Sequence, residues 1–155
     1  MIEVSIQGVV SDSESDSYVM LLKEKQGEKI LPIFIGANEA AAIIVALEGV
    51  PFPRPLTHDL LKLVIDALNG KVIRVVVTDL NKDTFYAKIY IETNGNLIGI
   101  DARPSDSVAL AVRAKSPVYV ADSIMESNGL ILKNLDELKT RLRNLNPEDF
   151  GNYQL

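Results

Sequence analysis

Two carboxylates, a guanidinium and a hydroxyl are crowded into Asp101-Ala-Arg-Pro-Ser-Asp106. The segment follows the apolar run Leu97-Ile-Gly-Ile100 and precedes the amphipathic run Ser107-Val-Ala-Leu-Ala-Val-Arg113, so a strand hands over to a helix there. A helix start offers unpaired N–H groups and a partial positive charge, which suit an anion such as phosphate. Two more polar clusters lie at element boundaries: Pro32-Ile-Phe-Ile-Gly36 leading to Glu39, and Arg54-Pro-Leu-Thr-His-Asp59. If the three turns converge, Asp101 and Asp106, with Glu39 or Asp59, could hold Mg²⁺ or Mn²⁺, hard ions that prefer oxygen ligands. Arg103 and Arg54 could clamp phosphate oxygens, with Ser105 adding a hydroxyl. His58, the single histidine, changes charge near neutral pH and could move a proton. Such an assembly suits metal-assisted hydrolysis of a phosphodiester.

Each residue also has a purely structural use. Glu39 and Asp59 are favourable in a first helical turn, Thr57 is an ordinary cap, and Arg103 could simply pair with Asp101 or Asp106. Ser105 lacks the Gly-x-Ser-x-Gly elbow of a serine hydrolase. The chain carries no phosphate-loop, dinucleotide or His-Glu-x-x-His signature either.

The elements that must position these residues follow from periodicity. Ile2, Val4 and Ile6 alternate with polar residues as a half-buried strand; residues 18–22 and 30–35 read as two more. The run Ser11-Asp-Ser-Glu-Ser-Asp-Ser17 is a polar connection. A helix is predicted over residues 39–48 with Asn38 as its cap. A second is predicted over 58–68, capped by Thr57. Between them, Val50-Pro-Phe-Pro-Arg-Pro55 excludes regular structure. Residues 72–100 read as a three-stranded antiparallel meander with turns at 80–83 and 94–96. A helix to about residue 114, a strand over 117–121 and a short helix over 122–127 follow. Leu135, Leu138, Leu142 and Leu145 then recur at helical spacing. The expectation is an α+β domain, a single compact unit with a mixed, largely antiparallel sheet and helices inserted between strands.

Composition narrows the classes. The 155 residues carry a formal net charge of −5 with 47% apolar residues and no cysteine. Disulfides, thiolate metal sites and cysteine nucleophiles are excluded. No apolar run reaches the eighteen or so residues of a membrane span, and the N-terminus has no signal-peptide pattern, so a cytoplasmic, membrane-free protein is expected. The acidic balance disfavours a broad basic footprint on nucleic acid, so phosphate recognition must be local.

Taken together and in order, Leu31-Pro-Ile-Phe-Ile-Gly36 with Glu39-Ala40, Arg54-Pro-Leu-Thr-His-Asp59, and Asp101-Ala-Arg-Pro-Ser-Asp106 with Ala109 and Ala111 resemble the bifunctional nuclease family. The resemblance spans about residues 1 to 135, leaving 136–155 as a C-terminal amphipathic helix and tail. It implies nuclease activity on DNA and RNA and self-association as a homodimer or higher homo-oligomer. Its polar motif positions are Glu39, Arg54, His58, Asp59, Asp101, Arg103, Ser105 and Asp106. The roles come from the residues' own chemistry and not from the match: His58, Asp101, Arg103 and Asp106 are read as catalytic, Arg54, Arg103 and Ser105 as substrate-binding, and Asp101, Asp106, Glu39 and Asp59 as metal ligands. The rival reading is a non-catalytic oligomeric module binding a small anionic ligand or a partner protein.

Overall fold

The alternation at the N-terminus opens strand β1 (Ile2–Asp12). In the computed structural model, which describes residues 1–12, 17–134, 136, 137 and 140, β1 turns back antiparallel into β2 (Ser17–Glu24), and β2 into β3 (Lys29–Ile35). Gly8, at φ +124°, takes up the register break that bulges β1. Two helices follow, α1 (Ala37–Glu48) and α2 (Thr57–Ala67), on either side of the proline-rich connection. The expected meander is β4 (Gly70–Asn81), β5 (Thr84–Thr93) and β6 (Asn96–Ala102). Its two-residue turns, Lys82-Asp83 and Asn94-Gly95, have positive φ at both positions, the geometry that matches strand twist in tight hairpins.

The chain then runs through α3 (Pro104–Ala114), β7 (Val118–Val120), α4 (Asp122–Asn128) and β8 (Leu130–Ile131). The strands form one sheet in the order β6-β5-β4-β7-β1-β2-β3-β8. Three residues of β7 weld the two halves together, pairing antiparallel with Ile2–Val4 and parallel with Val75–Val77. The domain is thus α+β, with a mixed, mostly antiparallel sheet and helices between strands.

Alternation sets which face carries the site. In β5, Phe85, Ala87, Ile89 and Ile91 are buried, while Tyr86, Lys88 and Glu92 are exposed on the other face. Helix α3 packs on β4 and β5 and is flanked by α1 and α2. Its middle, Val108 to Ala111, is wholly buried. α2 contrasts with it: none of its residues is buried, and Leu60, Leu61, Leu63 and Val64 are exposed.

Two helix starts depart from expectation. The residue preceding α1 is Gly36, with Asn38 inside the helix, and the residue preceding α2 is Leu56, with Thr57 inside it. In α2 the cap comes from Asp59, whose Oδ2 accepts the Leu56 N–H at 2.9 Å, so a carboxylate in the third helical position replaces the threonine hydroxyl. In α1 the Glu39 carboxylate folds back over Gly36, where a Cβ would lie 2.2 Å from Oε2. The pair β3–β8 was not legible, because two residues carry no period. The leucine-spaced terminal helix, with Leu135, Leu138, Leu142 and Leu145, lies outside the described residues.

Candidate active site

Three helix starts meet over β5 and β6, and each contributes a side chain from its first turn. Pro104 opens α3 with its ring-fixed φ, leaving Arg103 in extended conformation just outside the helix. Three positions apart, Arg103 and Asp106 face each other, and Arg103 Nε donates to Asp106 Oδ2 at 2.7 Å. Arg103 Nη1 donates to Oε1 of Glu39, the third residue of α1, at 3.0 Å. The other Asp106 oxygen, Oδ1, lies 2.9 Å from Nε2 of His58, the second residue of α2. The result is one continuous chain, Glu39–Arg103–Asp106–His58, assembled from residues up to 67 positions apart.

The electrostatics are those of a fixed ionic relay. His58 and Arg103 hold the Asp106 carboxyl down at about 2 against the opposing effect of burial. Asp106 and Glu39 raise Arg103 still further above its ordinary value. With Asp106 ionised, the proton in the short contact belongs to His58 Nε2, which leaves Nδ1 as the basic nitrogen of a neutral ring. Arg103 has five N–H donors and gives one to each carboxylate, so donors remain for a further acceptor. The three helix N-termini add partial positive charge to a cluster that otherwise carries two carboxylates and one guanidinium.

A second ion pair buttresses the first. Arg113, near the end of α3, is 8% exposed and donates Nε to Asp59 Oδ1 at 2.6 Å. Its Nη1 donates to the carbonyls of Ala42 at 3.1 Å and Ala109 at 2.8 Å. Asp59 thereby joins the Leu56 N–H to Arg113, and its carboxyl lies below the ordinary value for both reasons, the Leu56 bond first. One side chain ties α1, α2 and α3 together immediately beside His58.

Not every expected residue joins this constellation. Glu39, His58, Arg103 and Asp106 do. Asp59 belongs to the buttress. Asp101 borders the site but stands opposite Lys88 in the β5–β6 ladder, while its neighbours Ile100 and Ala102 stand opposite Ile89 and Ala87. Alternation thus puts Asp101 on the Lys88 side of the ladder, outside the relay, although it does line the cavity described below, as does Tyr86. Ser105 is buried in α3 at 2% exposure and does not line the cavity described below. Arg54 is exposed on the proline-rich connection, also outside that lining.

The donor set does not fit the expected metal cage as it stands. Glu39 and Asp106 are both paired with the Arg103 guanidinium, and Asp59 with Arg113. Among the described residues no three His, Asp or Glu side chains gather as such a cage requires.

Beside the relay opens a cavity of about 1160 Å³ between the helices and the β5–β6 face. Glu39, His58, Arg103 and Asp106 line one part of it; the rest is largely apolar, including Val45, Phe52, Leu61, Ile65, Ile100 and Leu110.

This geometry rests on the three sequence motifs, and comparison with known proteins explains their company. Residues 20–133 match the model of the bifunctional nuclease domain. The chain belongs to the bifunctional nuclease domain family. An uncharacterized protein of Mycobacterium tuberculosis is 37% identical over 162 aligned residues, covering 96% of this chain and 97% of its own. Bifunctional nuclease 1 of Oryza sativa subsp. japonica is 29% identical, with 77% of this chain aligned to 37% of the plant protein. Bifunctional nuclease 1 of Arabidopsis thaliana is 26% identical, with 79% of this chain aligned to 39% of its own length. The bifunctional nuclease domain thus spans little more than a third of the plant proteins it resembles. Among the described residues no helix is long and apolar enough to cross a membrane.

Arg113 and Gly36 were not singled out as site residues from sequence. The available signal for Arg113 was a lone guanidinium closing a helix whose middle is entirely small or apolar. A cation in a last helical turn is favoured by the dipole alone, so this signal does not disclose the ion pair with Asp59.

Proposed function

We propose that this bifunctional nuclease domain hydrolyses phosphodiester bonds in DNA and RNA at the Glu39–Arg103–Asp106–His58 relay. The observation that carries the reading is the His58–Asp106–Arg103 bridge, which pairs an oriented proton carrier with a guanidinium that has donors to spare. DNA has no 2′-hydroxyl, so one site acting on both polymers must use water as nucleophile. In this reading Arg103 holds the phosphate, and His58 Nδ1 takes a proton from water as its oxygen bonds to phosphorus. The P–O bond to the leaving sugar oxygen breaks, and that oxygen receives the proton from the imidazolium. Asp106 keeps the ring in its tautomer and stabilises the imidazolium, the role a buried carboxylate plays beside a catalytic histidine elsewhere. Glu39 is a positioning residue for Arg103.

The expected Mg²⁺ or Mn²⁺ would require Arg103 to release Glu39 and Asp106, and no step here is routed through it. The test is cleavage of labelled DNA and RNA by wild type, Arg103→Ala and His58→Ala, each with Mg²⁺, Mn²⁺ and chelator. Activity lost in both folded variants supports the site; equal activity in all three overturns it. Activity that survives chelator is expected.

The rival reading, a non-catalytic module, draws on the largely apolar cavity walls beside a charge cluster that already satisfies itself. It predicts thermal stabilisation by a small anionic ligand with no cleavage by any preparation. Self-association as a homodimer or larger homo-oligomer is also part of our proposal. It is supported by the exposed Leu60, Leu61, Leu63 and Val64 of α2 and the exposed Leu97, Ile98 and Ile100 of edge strand β6. Light scattering near 17 kDa would refute it. A cytoplasmic location completes the reading, in keeping with a chain that has no cysteine.

A further inference from the structure

We infer that the site takes a single unpaired nucleotide, base in the apolar cavity and phosphate on Arg103, so that its substrate class is the short single-stranded oligonucleotide. This rests on the nuclease reading above and narrows it. Two observations carry it, one of shape and one of charge.

At about 1160 Å³ the cavity has room for a base and its sugar, and the relay residues form part of its lining. Its walls are largely apolar, with Asn38, Thr57, Thr84 and Asp101 among them beside the relay, and the half-exposed Phe52 at the proline-rich connection offers a ring to stack on. A base held in a duplex cannot leave its partner for such a recess without first unstacking, whereas an unpaired base enters directly.

Charge limits how much of the strand is held. Arg103 and Arg113 are the two basic residues lining the cavity, and Arg113 is buried and spent on Asp59, Ala42 and Ala109. That leaves one guanidinium for one phosphate. Glu39 and Asp106 stand on either side of it, and the whole chain carries −5. Proteins that hold long single strands do so along a basic groove. Here further phosphates gain no cationic partner within the cavity and meet net negative charge, so length adds nothing to binding.

The experiment has two arms. Wild type is given a trinucleotide, a single strand and a duplex of about 25 units, with rates taken per scissile bond. The trinucleotide is expected within about threefold of the long strand, and the duplex at least about tenfold slower, the cost of unpairing a base. The slope of log(kcat/KM) against log salt on the long strand is expected near −0.7, one phosphate contact on a single strand. In the second arm, Phe52→Trp supplies the only tryptophan of the chain and is titrated with thymidine 3′,5′-bisphosphate, which has no internucleotide bond to cleave. The same compound is tested as an inhibitor of wild-type cleavage. Saturable quenching that Arg103→Ala abolishes, with competitive inhibition, supports the inference.

Cleavage that depends on Arg103 but runs faster on duplex, rises tenfold or more with length, or falls steeply with salt overturns the inference and leaves the nuclease reading standing. Quenching without cleavage of any substrate does the reverse: the nucleotide pocket stands and the nuclease reading falls. The absence of both quenching and inhibition overturns the pocket.

Discussion

Replacing Asp106 with asparagine removes one negative charge from the centre of the relay while keeping the side chain's size and one of its acceptors. In the folded protein the carboxyl titrates at about 2 rather than 3.8. At about 1.4 kcal/mol for each tenfold change in proton affinity, that displacement is worth roughly 2 kcal/mol. The side chain is 29% exposed, so solvent screening leaves about 1–2 kcal/mol. The sign follows from the depressed value. The stabilisation is fully present above the unfolded carboxyl's pKa, near 4, and is lost as pH falls through about 2.

Urea unfolding of wild type and Asp106→Asn at pH 7 should therefore differ by about 1–2 kcal/mol, wild type the more stable. The gap should narrow below pH 4 and close near pH 2. Other carboxylates titrate in both proteins and cancel from the difference. A gap that stays constant from pH 7 to 2 would show that shape rather than charge holds the relay. No gap at pH 7 would show that His58 and Arg103 do not grip the carboxylate at all. Either result refutes the ionic relay on which the proposed proton transfer depends.

Arg113→Met should cost about 3 kcal/mol in thermal or urea unfolding, because it strands Asp59 and two carbonyls, with Arg113→Lys between the two; a loss below 1 kcal/mol would contradict the buttress. Gly36→Ala should unfold within about 1 kcal/mol of wild type, since the flexible Glu39 end can move aside, yet lower cleavage by raising KM as Arg103 loses a restraint; unchanged KM would dismiss Glu39 as a positioning residue. Because His58 is the sole histidine, ¹⁵N NMR reads its tautomer without assignment: the Nε2–H form should dominate the neutral ring in wild type and give way to a mixture in Asp106→Asn, and a dominant Nδ1–H form in wild type would reverse the proposed proton path.

How far the sequence discloses this site can be read residue by residue. Strands with strict alternation, such as Phe85 to Ile91, and turns with demanding dihedrals, such as Asn94-Gly95, were legible because the signal is local. So was the sheet's antiparallel character. Cap identity was less so: the Leu56 N–H goes to Asp59 and not to Thr57, and the same carboxylate also accepts from Arg113, 54 positions away. The crowding of charge at residues 101–106 marked the turn where Arg103 and Asp106 pair, yet it could not separate Asp106 from Asp101. That distinction belongs to the sheet: Asp101 is still in β6 and obeys its alternation, while Asp106 has passed into α3. Ser105, one position before Asp106 in α3, falls on the helix's inner face and is buried.

The buttress and the relay explain together why three helices begin at this spot. Carboxylates in the first turns of α1, α2 and α3 each gain from their own helix dipole, but drawn together they would repel one another. Arg103 answers Glu39 and Asp106; Arg113 answers Asp59. The two arginines differ in one respect that decides their use. Arg113 is sealed at 8% exposure and spends its bonds on holding α1, α2 and α3, whereas Arg103 is 39% exposed and retains donors facing the cavity. A guanidinium fixed by its neighbours yet open to solvent can accept an anion without reorganising, which is the condition for stabilising charge as it develops on a phosphate. One arginine is spent on setting the geometry, and the other keeps the exposure that the proposed phosphate contact needs.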